Sequence, residues 1–170
     1  KNKRPCINMD TDICIIGAGL SGLSLATALK AEGRDVMVLE ARDRVGGRVL
    51  SHNGYDLGPS WIWPHNHRML ALLNDLGLQT FAQHASGRLV FEDVEGKVRR
   101  DLDFATMSGA LRVEGGVSRV THALAGKLGT NLRLACRVRQ VVEEASGVSV
   151  LTMEGITRAR RVVVAMPPRL

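Results

Sequence analysis

A chain of 170 residues with 45% hydrophobic composition is long enough to bury a core of single-domain size, and its composition is globular rather than disordered. The formal charge of +6 raises nucleic acid as a partner, but the basic residues are scattered, with no aromatics interleaved among them. Arg99-Arg100 and Arg158 with Arg160-Arg161 flank apolar strand-like runs as solvated edge charges do, which favours anionic ligands and excludes a nucleic-acid face.

Cys6, Cys14 and Cys136 are odd in number and share no metal-type spacing, so reduced structural thiols of a cytoplasmic protein are expected, with no metal site. No apolar run approaches the ~18 residues of a membrane span, and no signal-peptide core is present. Residues 1–9 read as a tail, because "MDTDICIIG" from Met9 reads as a natural start.

In chain order, Ile13 to Ile16 form a short continuous apolar stretch ending in glycine, the pattern of a strand buried on both faces. Leu20 to Glu32 carries Leu25, Ala28 and Leu29 at helical spacing, with Gly33 as the stop. "DVMVLE" is a second buried-type strand, completing a βαβ unit. "YDLG" reads as a strand with Tyr55 and Leu57 on one face, and "PSWIWP" as the loop that leaves it. "NHRMLALLNDLG" is an amphipathic helix built on Met69, Leu70, Leu72, Leu73 and Leu76.

"QTFAQ", "RLVFED" and "KVRRDLD" are strand-like pieces with "EGK" as a turn. Gly115 to Leu128 reads as a helix, with Val117, Val120 and Leu124 as a core stripe. "LRLACRV", "RQVVEE", "VSVLTM" and "TRARRVVVAM" are four further strands. The final "MPPRL" places Pro-Pro directly after a strand, which leads us to expect that further polypeptide follows.

The chemistry-bearing pattern is Gly17-Ala18-Gly19-Leu20-Ser21-Gly22, a G-x-G-x-x-G between strand and helix, with Glu40 ending the next strand eighteen positions after Gly22. Gly17 permits the tight turn, Gly19 lets backbone N–H groups approach a pyrophosphate, and Gly22 allows close helix–strand packing. Glu40 is placed to accept from an adenosine ribose and argues against a 2′-phosphate. Directly after it, "ARDRVGGRVLS" adds adjacent glycines and Arg48, a second phosphate contact suited to the longer FAD.

His65 and His67 lie two apart and share no helix face, so a helix-start loop is the better reading than a metal pair. His52, His84 and His122 are isolated, and Ser21 and Ser60 have no base at readable spacing.

The run "DICIIGAGLSGLSLATALKAEGRDVMVLEARDRVGGR" with "YDLGPSWI" resembles the flavin-containing amine oxidases, the group of monoamine, polyamine and L-amino acid oxidases. "LRVEGGVSRVTHALAGKL", "CRVRQVVEE" and "RARRVVVAMPPRL" extend the likeness. The resemblance implies an α/β, Rossmann-like FAD-binding domain, a parallel sheet with a βαβ unit and a β-meander, joined to a partial α+β substrate-domain segment. The division it implies is a tail at 1–9, a first FAD-binding part at 10–78, a partial substrate segment at 79–110 and a second FAD-binding part at 111–170.

By the same resemblance Gly17, Ala18, Gly19, Ser21 and Gly22 cradle the FAD pyrophosphate and Glu40 holds the ribose. Ala41 and Arg42 line the adenosine side, Gly47 and Arg48 the phosphates, and the backbone of Val138 meets the adenine. Gly58, Pro59, Ser60 and Trp61 pass along the flavin ring, with Trp61 the ring neighbour and Trp63 packed under the following helix. A generic aromatic cluster is the alternative for the two tryptophans.

Two departures matter. Only about ten residues separate the meander from "LRVEGG", where relatives carry a long helical section, and what the family places after the Pro-Pro strand is not in this sequence. No catalytic residue is therefore named. The implied function is that of an FAD-dependent oxidoreductase, or a fragment or subunit of one, oxidising an amine or amino acid by hydride transfer to flavin with reoxidation by oxygen; a second chain supplying the C-terminal half is one reading and a truncated oxidase the other. The alternatives are a protoporphyrinogen oxidase or carotenoid desaturase type of substrate on the same fold, and a non-catalytic flavin-binding subunit.

Overall fold

The computed structural model describes residues 10–102, 104 and 106–168. The expected tail at 1–9, with Cys6, and the final Arg169-Leu170 lie outside the described residues.

Strand β1 (Thr11–Ile16) leads into helix α1 (Leu20–Ala31) and returns as β2 (Val36–Leu39). The hairpin β3 (Ser51–His52) and β4 (Tyr55–Asp56) precedes helix α2 (His67–Asp75). Then come β5 (Thr80–Ala82), β6 (Phe91–Glu92), β7 (Val98–Arg99) and β8 (Leu111–Val113). Helix α3 (Ser118–Leu128) runs through one 3-10 turn into β9 (Leu132–Arg133), and β10 (Gln140–Glu144), β11 (Gly147–Leu151) and β12 (Ile156–Val164) finish the described chain.

The central sheet has the order β10-β11-β12-β1-β2-β9. Its β12-β1-β2-β9 part is parallel, and β10-β11-β12 is an antiparallel meander. Residues of β1 alternate between two cores. Ile15 joins Val38, Leu23, Ala26, Val120, Leu124 and Leu128 under the helices, while Cys14 and Ile16 join Leu39, Cys136, Val150 and Ala159 on the other face. Burial on both faces is why β1 reads as an unbroken apolar run.

The sheet and helices are tied locally by side chains. Lys30 Nζ donates to the carbonyls of Lys127 and Leu128 at 3.0 and 3.1 Å, meeting the free carbonyls at the C-terminal end of α3. Asn131 Nδ2 donates to Val36 O at 2.8 Å and pins the turn before β9 to β2. Among the basic pairs, Arg160 meets Asp12 at 3.0 Å and Arg99 meets Asp101 at 3.0 Å, both exposed. Solvent screens such pairs, so they add little to stability.

Three elements differ from the sequence reading. Helix α3 begins at Ser118 rather than Gly115, because Gly115 and Gly116 take φ of 75° and 94°, left-handed values that no α-helix accommodates. Leu111–Val113, separated from them by Glu114, form β8, paired with β5. "LRLACRV" contributes only two residues of strand, since Ala135 at φ 53° turns the chain aside. "YDLG" contributes only Tyr55–Asp56 as strand, so Leu57 lies just beyond it, and Tyr55 and Leu57 are both exposed.

Burial raises the Cys14 thiol from 9.0 to about 12, with the neighbouring Cys136 adding to the shift. The folded state holds this proton where the unfolded state releases it, so this contribution is complete below about pH 9 and declines as pH rises towards 12. The urea midpoint should fall from pH 8 to pH 10 and fall less in Cys14→Ala. Iodoacetamide at pH 8 should leave Cys14 unmodified in the folded chain and label it in urea, read by peptide mass mapping.

Candidate cofactor site

The β1–α1 turn contains glycines of two kinds. Gly17, at φ 108°, donates its N–H to Leu39 O at 2.8 Å, and an added Cβ would stand 2.8 Å from Ala165 O. A Cβ on Gly22 would run into Gly17 O. Both glycines are demanded by packing within the chain. Gly19 differs, with an ordinary φ of −76° and nothing within 4 Å of an added Cβ. The fold does not require glycine there, and the space over it is open.

That space adjoins the N-terminus of α1, which has no side-chain cap and no acidic residue in its first turn. Among the described residues the N–H groups of Ser21 and Gly22 have no acceptor, and Ser21 is exposed. Free N–H groups together with the helix dipole favour an anion at this point.

Glu40 lies at the end of β2, only 8% exposed. Its Oε2 accepts from Ala18 N at 2.8 Å and its Oε1 from Arg42 N at 2.9 Å. Its backbone is held as firmly, with N donating to Arg133 O at 2.9 Å and O accepting from Cys136 N at 2.8 Å. Ala135 N donates to Arg42 O at 2.7 Å, so the bent segment after β9 runs beside residues 40–42.

This course carries Val138 to the same end of the sheet. Its side chain packs against the Cys14, Ile16 and Leu39 core, and its backbone N–H and C=O have no partner among the described residues. The side chains of Ala41 and Arg42 are exposed beside Glu40.

The second glycine cluster folds against the first. Gly46 N donates to Ala18 O at 2.8 Å, and a Cβ on Gly47 would stand 3.5 Å from Gly19 Cα. Arg44, which sequence reasoning passed over, spans this turn, donating through Nη1 to Val45 O and through Nη2 to Gly47 O, both at 3.1 Å. Its only signal was an arginine two positions before the paired glycines. Arg48 is exposed and has no hydrogen bond or ion pair among the described residues.

Arg48 also leads to the aromatic segment, because the missing Cβ of Gly58 is where the Arg48 carbonyl sits. Pro59 is exposed, Ser60 Oγ donates to Gly58 O at 3.3 Å, and Trp61, 52% exposed, donates through Nε1 to Gln83 Oε1 at 3.0 Å. Trp63 is half-buried at the entrance of α2, where its N–H donates to Asn66 Oδ1 at 2.9 Å.

The fifteen sequence-selected positions thus form one track: Val138 and Glu40, then the residue 17–22 turn, then Gly47 and Arg48, then residues 58–61. Sequence reasoning also missed Asp56, whose carboxylate accepts from Ser51 Oγ at 2.6 Å, Val117 N at 2.8 Å and Arg112 Nη2 at 3.2 Å.

A sequence profile of the family described as "Flavin containing amine oxidoreductase" matches residues 20–103 and 95–170. Putrescine oxidase of Kocuria rosea is 41% identical over 92 residues, covering 52% of this chain and 19% of that protein. Flavin-containing amine oxidase A of Canis lupus familiaris is 45% identical over 91 residues, covering 51% and 17%.

Among solved structures, a putrescine oxidase bound to putrescine superposes with a TM-score of 0.85 at 24% identity, over 94% of this chain and 59% of that one. A candidate protoporphyrinogen oxidase from Exiguobacterium superposes with a TM-score of 0.75 at 15% identity, over 94% and 60%. These two are likenesses of fold. The matched part spans less than a fifth of the curated relatives and about three fifths of the structural neighbours.

The two kinds of glycine should separate in mutagenesis. Gly22→Ala should cost roughly 3 kcal/mol or more through overlap with Gly17 O. Gly19→Ala should stay within about 1 kcal/mol of the parent, the small loss at a helix cap being offset by a stiffer unfolded chain. Urea midpoints of the two variants check both figures.

Proposed function

Because the chain belongs to the flavin containing amine oxidoreductases, we propose that it holds FAD along this track and serves in the oxidation of an amine or amino acid. FAD held there would supply two-electron redox chemistry, suited to oxidation of an amine to an imine with oxygen as the final acceptor.

The protein's part is binding and orientation. The pyrophosphate falls to Gly17, Ala18, Gly19, Ser21 and Gly22 with the free N-terminus of α1, and Gly47 and Arg48 complete the phosphate contacts. Glu40 has one lone pair on each oxygen engaged by a backbone N–H, which leaves the others for ribose hydroxyls. Val138 offers its unpaired backbone to the adenine, Ala41 and Arg42 flank the adenosine, and Gly58, Pro59, Ser60 and Trp61 face the flavin ring.

The single observation that carries this reading is Gly19, which this fold does not need as glycine, placed between an uncapped helix and a fixed carboxylate. A dinucleotide uses all three features at once, its pyrophosphate at the uncapped helix over Gly19 and its ribose hydroxyls at Glu40.

We assign residues 10–78 and 111–170 to the FAD-binding part and 79–110 to a partial substrate-domain segment. The six strands of the central sheet all come from outside 79–110, which supports the division. The matched part covers 59% of the putrescine oxidase structure, so the rest of a substrate cavity falls to polypeptide outside these residues, whether of the same chain or of a partner. Free Cys14 and Cys136 support a reducing, cytoplasmic setting. The amine reading is preferred over a protoporphyrinogen type of substrate because the relatives at 41% and 45% identity carry amine oxidase names.

The test is purification with excess FAD, a visible spectrum, and anaerobic addition of amines. A yellow chain bleached by an amine supports the reading, whereas one that stays colourless overturns FAD binding by this chain alone. Bound flavin that no amine bleaches favours the other-substrate or non-catalytic readings. Gly19→Ala should weaken FAD binding by at least about tenfold with the fold intact, a combination a purely structural glycine would not produce.

A further inference from the structure

The segment proposed to face the flavin ring has few contacts of its own. Leu57, Gly58 and Pro59 are exposed, and the segment is bracketed by Leu57 N donating to Leu50 O at 2.8 Å and Ile62 N to Leu111 O at 2.9 Å. The residue immediately before it is the opposite. The Asp56 side chain is 1% exposed and accepts from three donors on three separate elements.

Ser51 Oγ donates to Asp56 Oδ1 and itself accepts from Ser118 N at 3.0 Å. With Val117 N also on Asp56 Oδ1, two N–H groups at the start of α3 are met by the β3–β4 hairpin, since α3 has no side-chain cap of its own. The approach is close enough to exclude any side chain at Gly116, where a Cβ would stand 2.6 Å from Ser51 Oγ and 3.1 Å from Asp56 Oδ1. Arg112 on β8 neutralises the charge from the other side, its guanidinium 5.8 Å over the Phe81 ring. The positive end of a helix and a guanidinium thus converge on one buried carboxylate.

We infer that Asp56 is a positioning residue: it clamps the start of residues 57–61 to the first turn of α3 and to β8, so that these elements set where the flavin-facing segment lies. The inference rests on the proposed cofactor reading for what the segment faces, and on geometry alone for what holds it. Asp56→Asn keeps an oxygen for Ser51 and Val117 but presents an amide N–H₂ to Arg112. Ser51→Ala removes a single arm and serves as the milder variant if Asp56→Asn does not fold.

Hydrogen exchange on the chain without FAD and visible circular dichroism of the FAD-loaded chain test the inference together. The variants should raise exchange by at least about tenfold at Leu57–Ile62 and 116–119 while leaving α1, β1 and β2 at parental rates. With FAD bound within about threefold of the parental affinity, the flavin dichroic bands should change in shape. An even rise across the sheet, or no rise at 57–62, overturns the inference. Unaltered flavin bands in a variant whose segment has loosened overturn it as well. If the parent takes up no FAD, the cofactor reading falls by itself, and the exchange pattern still decides whether Asp56 positions the segment.

Discussion

The carboxylate of Glu40 is the point on which the other parts of the site depend. A buried charge is tolerated only with partners, and this one has two backbone donors from different turns, Ala18 and Arg42. One donor fixes the glycine turn relative to β2 and the other fixes the chain leaving β2. The backbone of the same residue is bonded to Arg133 and Cys136, which brings in the segment ending at Val138. Three stretches far apart in sequence are therefore in register at one residue, and the geometry exists before any ligand arrives. A preorganised acceptor of this kind loses little entropy on binding, which is how a few hydrogen bonds come to count fully towards affinity.

The glycines around this carboxylate act through distance rather than flexibility. At Gly17, Gly22, Gly46 and Gly58 a carbonyl oxygen of another residue takes the place of a Cβ, so backbone packs directly on backbone. The start of α1 thus packs on the Gly17 carbonyl, and the 57–61 segment on the carbonyl of Arg48. Only Gly19 opens outward, and the packing around it exposes backbone N–H groups rather than side chains to the space above. Arg44 braces this arrangement by holding two carbonyls of the 46–47 turn, leaving Arg48 next to it uncommitted.

Much of this was legible from sequence because the relevant signals are local. The unbroken apolar β1, the helix stopped by Gly33 and the meander follow from burial, periodicity and turn residues within short windows. What escaped depends on partners distant in sequence. Nothing near Asp56 announces that its acceptors serve an N–H group 61 positions later. The late start of α3 follows from the approach of Ser51 and Asp56 to Gly116, and the shortness of β9 from a left-handed Ala135 that lets the chain bond back to Glu40 and Arg42. Arg44 looked like one more scattered charge, because its targets are carbonyls, which no sequence pattern displays. Gly58 was assigned to a ligand by resemblance, and the Arg48 carbonyl supplies a reason for glycine that lies within the fold.

The two ends of the track differ in how they are supported, and the difference bears on function. The end at Glu40 and the residue 17–22 turn rests on the six-stranded sheet, with Ile15, Leu23 and Val38 fully buried beneath it. The end at 57–61 rests on pieces of two and three residues, β3–β4 and β5–β8, and its own Leu57 and Trp61 stay largely exposed, as do Tyr55 and Phe81 beside it. Short two-stranded pieces are marginal in isolation, so local opening costs less at this end than in the sheet. A cofactor held along the whole track would therefore be gripped at its nucleotide end by the sheet. At the other end its environment is set by a segment that Asp56, through Val117 and Ser51, makes answerable to α3. Since α3 packs on α1 and its C-terminal carbonyls are held by Lys30, that far end is still referred back, through one helix, to the same sheet that carries Glu40.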